Sequence, residues 1–322
     1  MSAPGGRIGV LVMAHGTPDT PEEIEPFYTR IRRGRPPTPE LLDELTERYE
    51  AIGGTSPLTR RTQSQVDGIA RALEAAEPGR FVVRLGTKYV QPTIEDAVAD
   101  LAAEGVDRLV GIVLTPHQST MGSGEYFSRA EAAASAASPP LALAVVPSWH
   151  RTPGFADLLA QRTRSVLDGL GGGDGGRTAV FFTAHSLPQR VVAMGDPYPD
   201  QVAESGREVA DLLGLDDDPS VVWGTAWQSA GRTADPWIGP DLLEELDRVA
   251  AEGATAAVVC PVGFVSDHLE VLYDLDIEAL DRADALGIAF ARTPSLNDDP
   301  DFLALLADVV RAAAGSAPDV AG

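Results

Sequence analysis

The chain has 322 residues, 44% of them hydrophobic, enough apolar material for one large core or two small ones. A net charge of −23 repels phosphate backbones and anionic headgroups, which argues against nucleic acid or a lipid surface as partner. The single cysteine, Cys260, excludes an internal disulfide and an iron–sulfur cluster held by about four protein ligands, and fits a reducing, cytoplasmic setting. The first apolar run, 8–14, is too short to span a membrane and no signal-cleavage pattern follows it, so it reads as a buried strand. Helical patterns follow at 39–51 and 62–77, then a strand at 81–85, a helix at 93–103, and strands at 109–114 and 142–146. The segment 148–153 reads as a crossover between domains. After it come a helix at 155–167, a glycine-rich loop at 169–176, a strand at 179–183, a helix at 200–213, a strand at 221–225, a helix at 240–251 and a strand at 256–261. Most strand runs are continuous rather than alternating, as expected where helices cover both faces of a parallel α/β sheet.

The two halves resemble each other. Residues 8–18 read IGVLVMAHGTP and residues 178–188 read TAVFFTAHSLP: a buried strand, Ala-His, a small polar turn, then Pro. A weaker pair joins LVGIVLTPHQST, from Leu109, to AAVVCPVGFVSDH, from Ala256. The expectation is two similar α/β domains, 1–148 and 149–322, facing each other, with the last helix returning to the first. The competing explanation is that all buried parallel strands look alike.

Of five histidines, His15, His117 and His185 follow the carboxyl end of a strand, the place where open α/β sheets bind ligands. A fourth strand exits into Ser266-Asp267-His268-Leu269-Glu270. If that exit continues as a helix, Glu270, Asp274 and Glu278 share one face at i, i+4 and i+8, with no basic residue between them. Such a row is either a solvated acidic face or a route that passes a hard cation inward from carboxylate to carboxylate. Arg32, Arg33 and Arg35 form a basic patch suited to carboxylates. With Lys88 the only lysine, the patch also fits a plain preference for arginine. No G-x-G-x-x-G follows a strand, and a P-loop glycine motif, a G-x-S-x-G elbow, H-E-x-x-H and paired C-x-x-C are missing from the sequence.

Several stretches are long and specific: MAHGTP at Met13, RRGRPP at Arg32, RYEAIGGTSPL at Arg48, GDPYPDQ at Gly195, WQSAGRTADPWIGP at Trp227, and PVGFVSDHLEVLYDLD at Pro261. Through them the chain resembles the ferrochelatases, above all the Gram-positive type acting on coproporphyrin III. The resemblance implies two Rossmann-like domains with a porphyrin cleft between them, and insertion of Fe²⁺ as substrate metal with no cofactor. It implies His185 and Glu270 as the catalytic pair, and Asp274 and Glu278 as a metal relay. Trp237 becomes porphyrin wall, and Arg32, Arg33, Arg48, Tyr49, Ser56 and Tyr126 become substrate contacts. The sequence lacks the extensions and cluster cysteines of the membrane-associated protoporphyrin enzymes, which favours coproporphyrin. His15 stands where the Gram-positive enzymes have Tyr, and is expected to act as an additional metal ligand. That change keeps two alternatives open: a cobalt or nickel tetrapyrrole chelatase, and a non-catalytic haem or porphyrin binder. The expected protein is a cytoplasmic monomer that hands product to a downstream haem-pathway enzyme.

Overall fold

The structure, a computed structural model, describes residues 6–170, 176–231 and 235–316. The centre of the glycine-rich loop, 171–175, and 232–234 of the tryptophan-rich motif lie outside the described residues. The chain divides into two units. The first takes in residues up to Thr115, Thr120–Trp149 and those from Asn297 on; the second takes in Pro116–Ser119 and His150–Leu296.

In the first unit the chain runs through β1 (Ile8–Ala14), α1 (Ile24–Ile31), α2 (Pro39–Ala51), α3 (Leu58–Ala76), β2 (Phe81–Thr87), α4 (Ile94–Ala103), β3 (Arg108–Val113), α5 (Ser123–Ala136) and β4 (Ala142–Val146). In the second it forms α6 (Phe155–Gly169), β5 (Arg177–His185), α7 (Gln189–Ala193), α8 (Tyr198–Leu213), β6 (Val221–Gln228), α9 (Leu242–Ala251) and β7 (Ala254–Cys260). A π-helical segment, Val271–Ala279, then leads into α10 (Leu280–Leu286) and β8 (Ala289–Arg292). The final helix, α11 (Pro300–Ser316), packs on α3 of the first unit, where Phe302 meets Trp149 at 5.8 Å between ring centroids.

Each unit is built on a four-stranded parallel sheet, in the orders β2-β1-β3-β4 and β6-β5-β7-β8. The two orders are the same once strands are counted from the start of each unit, so β1 and β5 occupy equivalent places. This is the physical content of the repeated strand-Ala-His pattern. In each sheet the chain leaves the first strand to one side and later returns to the other, which puts a topological switch point between β1 and β3, and between β5 and β7.

All seven residues of β1 are buried, and β5 is buried from Ala179 to Ala184, which explains their unbroken apolar runs. Helices supply the covering layers. Leu11, Met13, Val82, Ile94, Val98 and Leu101 form much of one core in the first unit. Phe181, Leu246, Val249, Val259, Val271 and Leu275 do so in the second. Helix starts are marked chemically: Thr93 and Asp96 close a capping box on α4, and Asp241 accepts from Leu243 N on α9. Strand β8 was not legible in the sequence, being four residues long and only partly buried. Among the described residues no helix is long and apolar enough to cross a membrane.

Candidate active site

In the second unit the switch point lies between β5 and β7, and both strands end in the motifs singled out above. His185 is the last residue of β5. After β7 the chain turns through Pro261–Val265, and Gly263 N donates to Thr183 O at 3.0 Å. A Cβ at Gly263 would lie 2.5 Å from Ala184 Cβ and 2.9 Å from Ala184 Cα. Only glycine lets this turn press so closely on the strand that ends in His185, and the turn delivers Glu270 to the same place.

His185 Nε2 stands 3.5 Å from Glu270 Oε1, and each side chain is about one-third exposed, at 34% and 36%. His185 Nδ1 faces the Ser186 carbonyl. A carbonyl can only accept, so Nδ1 carries the hydrogen and Nε2 is the nitrogen turned to Glu270. His268 repeats the arrangement: Nδ1 donates to Ser266 O at 2.9 Å and Nε2 lies 3.6 Å from Glu270 Oε2. Burial works against a charged His185, but the Glu270 carboxylate, the Ser186 carbonyl and Asp274 outweigh it and raise its pKa to about 9. Burial likewise disfavours a charged Glu270, yet His185 and His268 hold its carboxyl well below the ordinary range. The resting pair is therefore imidazolium and carboxylate.

The acidic row lies on a π-helical segment rather than an α-helix, a rare form that is frequent at functional sites. Glu270 caps it. Asp274 is 5% exposed, so it is no solvated surface residue. Gln228 Nε2 donates to Asp274 Oδ2 at 3.4 Å, and Ser229 Oγ donates to the same oxygen in a short hydrogen bond. Thr183 Oγ1, two residues before His185, donates to Gln228 Oε1 at 2.9 Å. Ser229 has φ +59°, an uncommon left-handed conformation for a non-glycine residue at the end of β6. Glu278 is partly buried farther along the segment. Gln228, Ser229 and Thr183 were not identified from the sequence, although the first two stand inside the WQSAGRTADPWIGP motif.

Trp237 lies 6.3 Å from the His185 ring between centroids. It bridges to Pro188, and its carbonyl accepts from Gln189 Nε2 at 3.1 Å. The indole rests on the backbone at Gly231, where a Cβ would come within 2.4 Å of Cζ2. His117, grouped in the sequence with the other strand-end histidines, is 1% exposed. It bonds Ser205 Oγ at 2.8 Å, and burial, then the neighbouring His150, lowers its pKa to about 3. It is a neutral interior histidine.

In the first unit His15 follows β1, exposed, with Nδ1 donating to Gly16 O at 2.9 Å. Its ring meets Tyr89 at 4.8 Å and Phe27 at 5.9 Å, both edge-on. Arg33 is exposed, and Arg32 is partly buried with its guanidinium 5.6 Å from the Tyr28 ring centroid. Arg48 lies 3.7 Å from Glu44. Tyr49, Ser56 and Tyr126 are buried, at 2%, 7% and 6% exposure. Tyr49 Oη bonds Thr17 Oγ1 at 3.1 Å, Ser56 Oγ accepts from Leu58 N at 3.2 Å, and Lys88 Nζ sits 5.2 Å from the Tyr126 ring centroid. Burial raises the Tyr126 phenol pKa above its ordinary value.

Comparison with known proteins bears on the family and the fold. The ferrochelatase family profile matches residues 7–314. A ferrochelatase of Herpetosiphon aurantiacus is 41% identical over 94% of this chain and 98% of its own length. A coproporphyrin III ferrochelatase of Halalkalibacterium halodurans is 42% identical over 95% of this chain and 96% of its own. Among solved structures, SirB from Bacillus subtilis with Fe³⁺ covers 96% of both chains with a TM-score of 0.56 at 13% identity. CbiX, a terminal enzyme of sirohaem biosynthesis, covers 94% of this chain and 98% of its own with 0.51 at 15%. These two likenesses concern the fold, which is that of the chelatases. The profile match and the extent of the sequence identity together establish that the chain belongs to the ferrochelatase family.

Proposed function

We propose that the protein inserts Fe²⁺ into coproporphyrin III, with His185 and Glu270 as the reacting pair. The observation that carries this reading is their placement, 3.5 Å apart at the switch point of the second sheet, with the His185 tautomer fixed by the Ser186 carbonyl. The names and near-complete coverage of the curated relatives support the choice of tetrapyrrole. Insertion removes two pyrrole N–H protons and strips water from the ion. Glu270 takes the arriving cation. That ion cancels the charge which keeps His185 protonated, so the imidazolium releases its proton to solvent, and Nε2 then takes the two pyrrole protons one after the other, passing each to solvent. Asp274 and Glu278 offer further oxygens along the metal's path. No group of three or more His, Cys, Asp or Glu able to hold a metal ion occurs among the described residues.

Arg32, Arg33 and Arg48 are the groups suited to pair with propionates, because guanidinium binds carboxylate in a fork. Tyr49, Ser56 and Tyr126, buried and bonded within their own unit, act by shaping the ground beneath the substrate. Trp237 supplies an aromatic wall beside His185. His15, exposed at the end of β1, is the candidate nitrogen ligand to the inserted metal. The reading needs no resident cofactor and includes a cytoplasmic monomer passing product to a downstream haem-pathway enzyme, supported by the acidic surface.

The test is anaerobic turnover with coproporphyrin III and with protoporphyrin IX, each against Fe²⁺, Co²⁺ and Ni²⁺, followed by loss of the free-base spectrum. Rapid iron insertion into coproporphyrin, abolished in His185→Ala, is the expected result. Insertion of cobalt or nickel alone, or porphyrin binding without insertion, would overturn the reading.

A further inference from the structure

Arg292 belongs to no motif that the sequence singled out. It ends β8, the edge strand of the second sheet, and its side chain is only 14% exposed. Nε donates to Asp276 Oδ1 at 2.6 Å and Nη2 to Asp276 Oδ2 at 2.8 Å, a two-pronged bond to one carboxylate. Nη2 also lies 3.2 Å from Asp267 Oδ1, and Nη1 donates to Thr293 O at 3.2 Å. Asp267 accepts in turn from Ser295 Oγ at 2.8 Å. One guanidinium therefore joins two places in the chain that flank Glu270: Asp267 three residues before it and Asp276 six residues after it. Asp274 lies within the same bracket.

That bracket encloses a structure needing support. The π-helical form is rare, and here it carries Glu270, Asp274, Asp276 and Glu278 within nine residues with no basic side chain among them. Their mutual repulsion favours a looser arrangement, and Arg292 brings the compensating charge from a neighbouring strand. A planar guanidinium holds two carboxylates at fixed directions, which a point charge cannot do.

We propose that Arg292 is a positioning residue: its fork sets the distance between the loop carrying Asp267 and the π-helical segment, and so the geometry at which Glu270 and Asp274 present their oxygens to the incoming metal. This rests on the reading that Glu270 and Asp274 carry the metal. It goes beyond that reading in separating metal handling from porphyrin binding.

The experiment compares the full-length wild type with Arg292→Met, Arg292→Lys, Asp276→Asn and the double variant R292M/D276N. The KM for Fe²⁺ is measured at saturating coproporphyrin III and the reverse, with thermal unfolding in parallel. Partners that orient metal-binding side chains are worth about 10–100-fold in metal affinity or activity, so the KM for Fe²⁺ should rise about 10-fold or more while the porphyrin KM changes by less than about twofold. Arg292→Lys should restore only part of the loss, and the double variant should be no worse than the poorer single one. A folded Arg292→Met with wild-type KM for Fe²⁺, or equal increases in both KM values, would overturn the proposal. If Arg292→Met does not fold, Asp276→Asn decides by the same split, because its carboxylate is the more exposed partner. Calorimetric titration with Zn²⁺ alone separates the two readings. Weaker Zn²⁺ binding in the variants alongside an inactive wild type would overturn iron insertion and keep the positioning role. Unchanged Zn²⁺ binding in folded variants would overturn the positioning role.

Discussion

Gly263→Ala tests whether the close approach of two chain segments sets the geometry of the His185–Glu270 pair. The added methyl would lie 2.5 Å from Ala184 Cβ, about 0.9 Å short of the 3.4 Å at which ordinary contact begins. Neither Ala184 Cβ nor Cα, itself 2.9 Å away, can swing aside, so the turn and the end of β5 must separate. The residue after Ala184 is His185, and the turn leads to Glu270, so their 3.5 Å separation should open by close to the same distance. Overpacking of this kind costs about 1–3 kcal/mol of stability, which a domain with about 5–15 kcal/mol survives. A misplacement near 1 Å at reacting groups costs on the order of 10²-fold in rate. Urea unfolding and kcat for iron insertion into coproporphyrin III should therefore diverge: a modest loss of stability with a loss of rate near two orders of magnitude. Gly224→Ala in β6, where an added Cβ meets nothing within 4 Å, is the control and should change neither. A Gly263→Ala protein with wild-type kcat would refute the account of how the two motifs are brought together.

Two further outcomes follow from the geometry. The His185–Glu270 pair should stabilise the fold over a defined pH window. The raised His185 contributes fully below its ordinary 6.5 and loses that contribution as pH rises through about 9, while the depressed Glu270 contributes fully above 4.5 and loses it as pH falls further. The difference in Tm between wild type and Glu270→Gln should be largest between about 4.5 and 6.5 and shrink towards 9; a difference that grows as pH rises from 6.5 to 9 would contradict the assignment. Thr93→Ala breaks the capping box of α4, whose Ile94, Val98 and Leu101 are buried in the core, and should cost about 0.5–2 kcal/mol in urea unfolding without changing the KM for porphyrin.

The sequence by itself determined the α/β class and the duplicated strand plan, and it pointed to His185 and Glu270 through strand ends and family motifs. The continuous apolar runs of β1 and β5 can only be strands covered on both faces, and Ala-His at the end of each marks equivalent positions. His185 was legible because it ends a strand, and Glu270 because the SDHLE motif follows the exit of another strand. Other features depended on contacts that sequence spacing does not encode. An i, i+4, i+8 row fits both an α-helix and the π-helical segment that forms here, and only packing against Gln228 and Ser229 turns Asp274 inward. His117 shares the strand-end signature of His185, yet burial beside His150 makes it a neutral interior residue. Arg292 gave no signal at all, because its partners Asp267 and Asp276 are distant along the chain. Tertiary structure also decided the protonation of the His185–Glu270 pair, since a histidine pKa is set by which charge stands beside the ring.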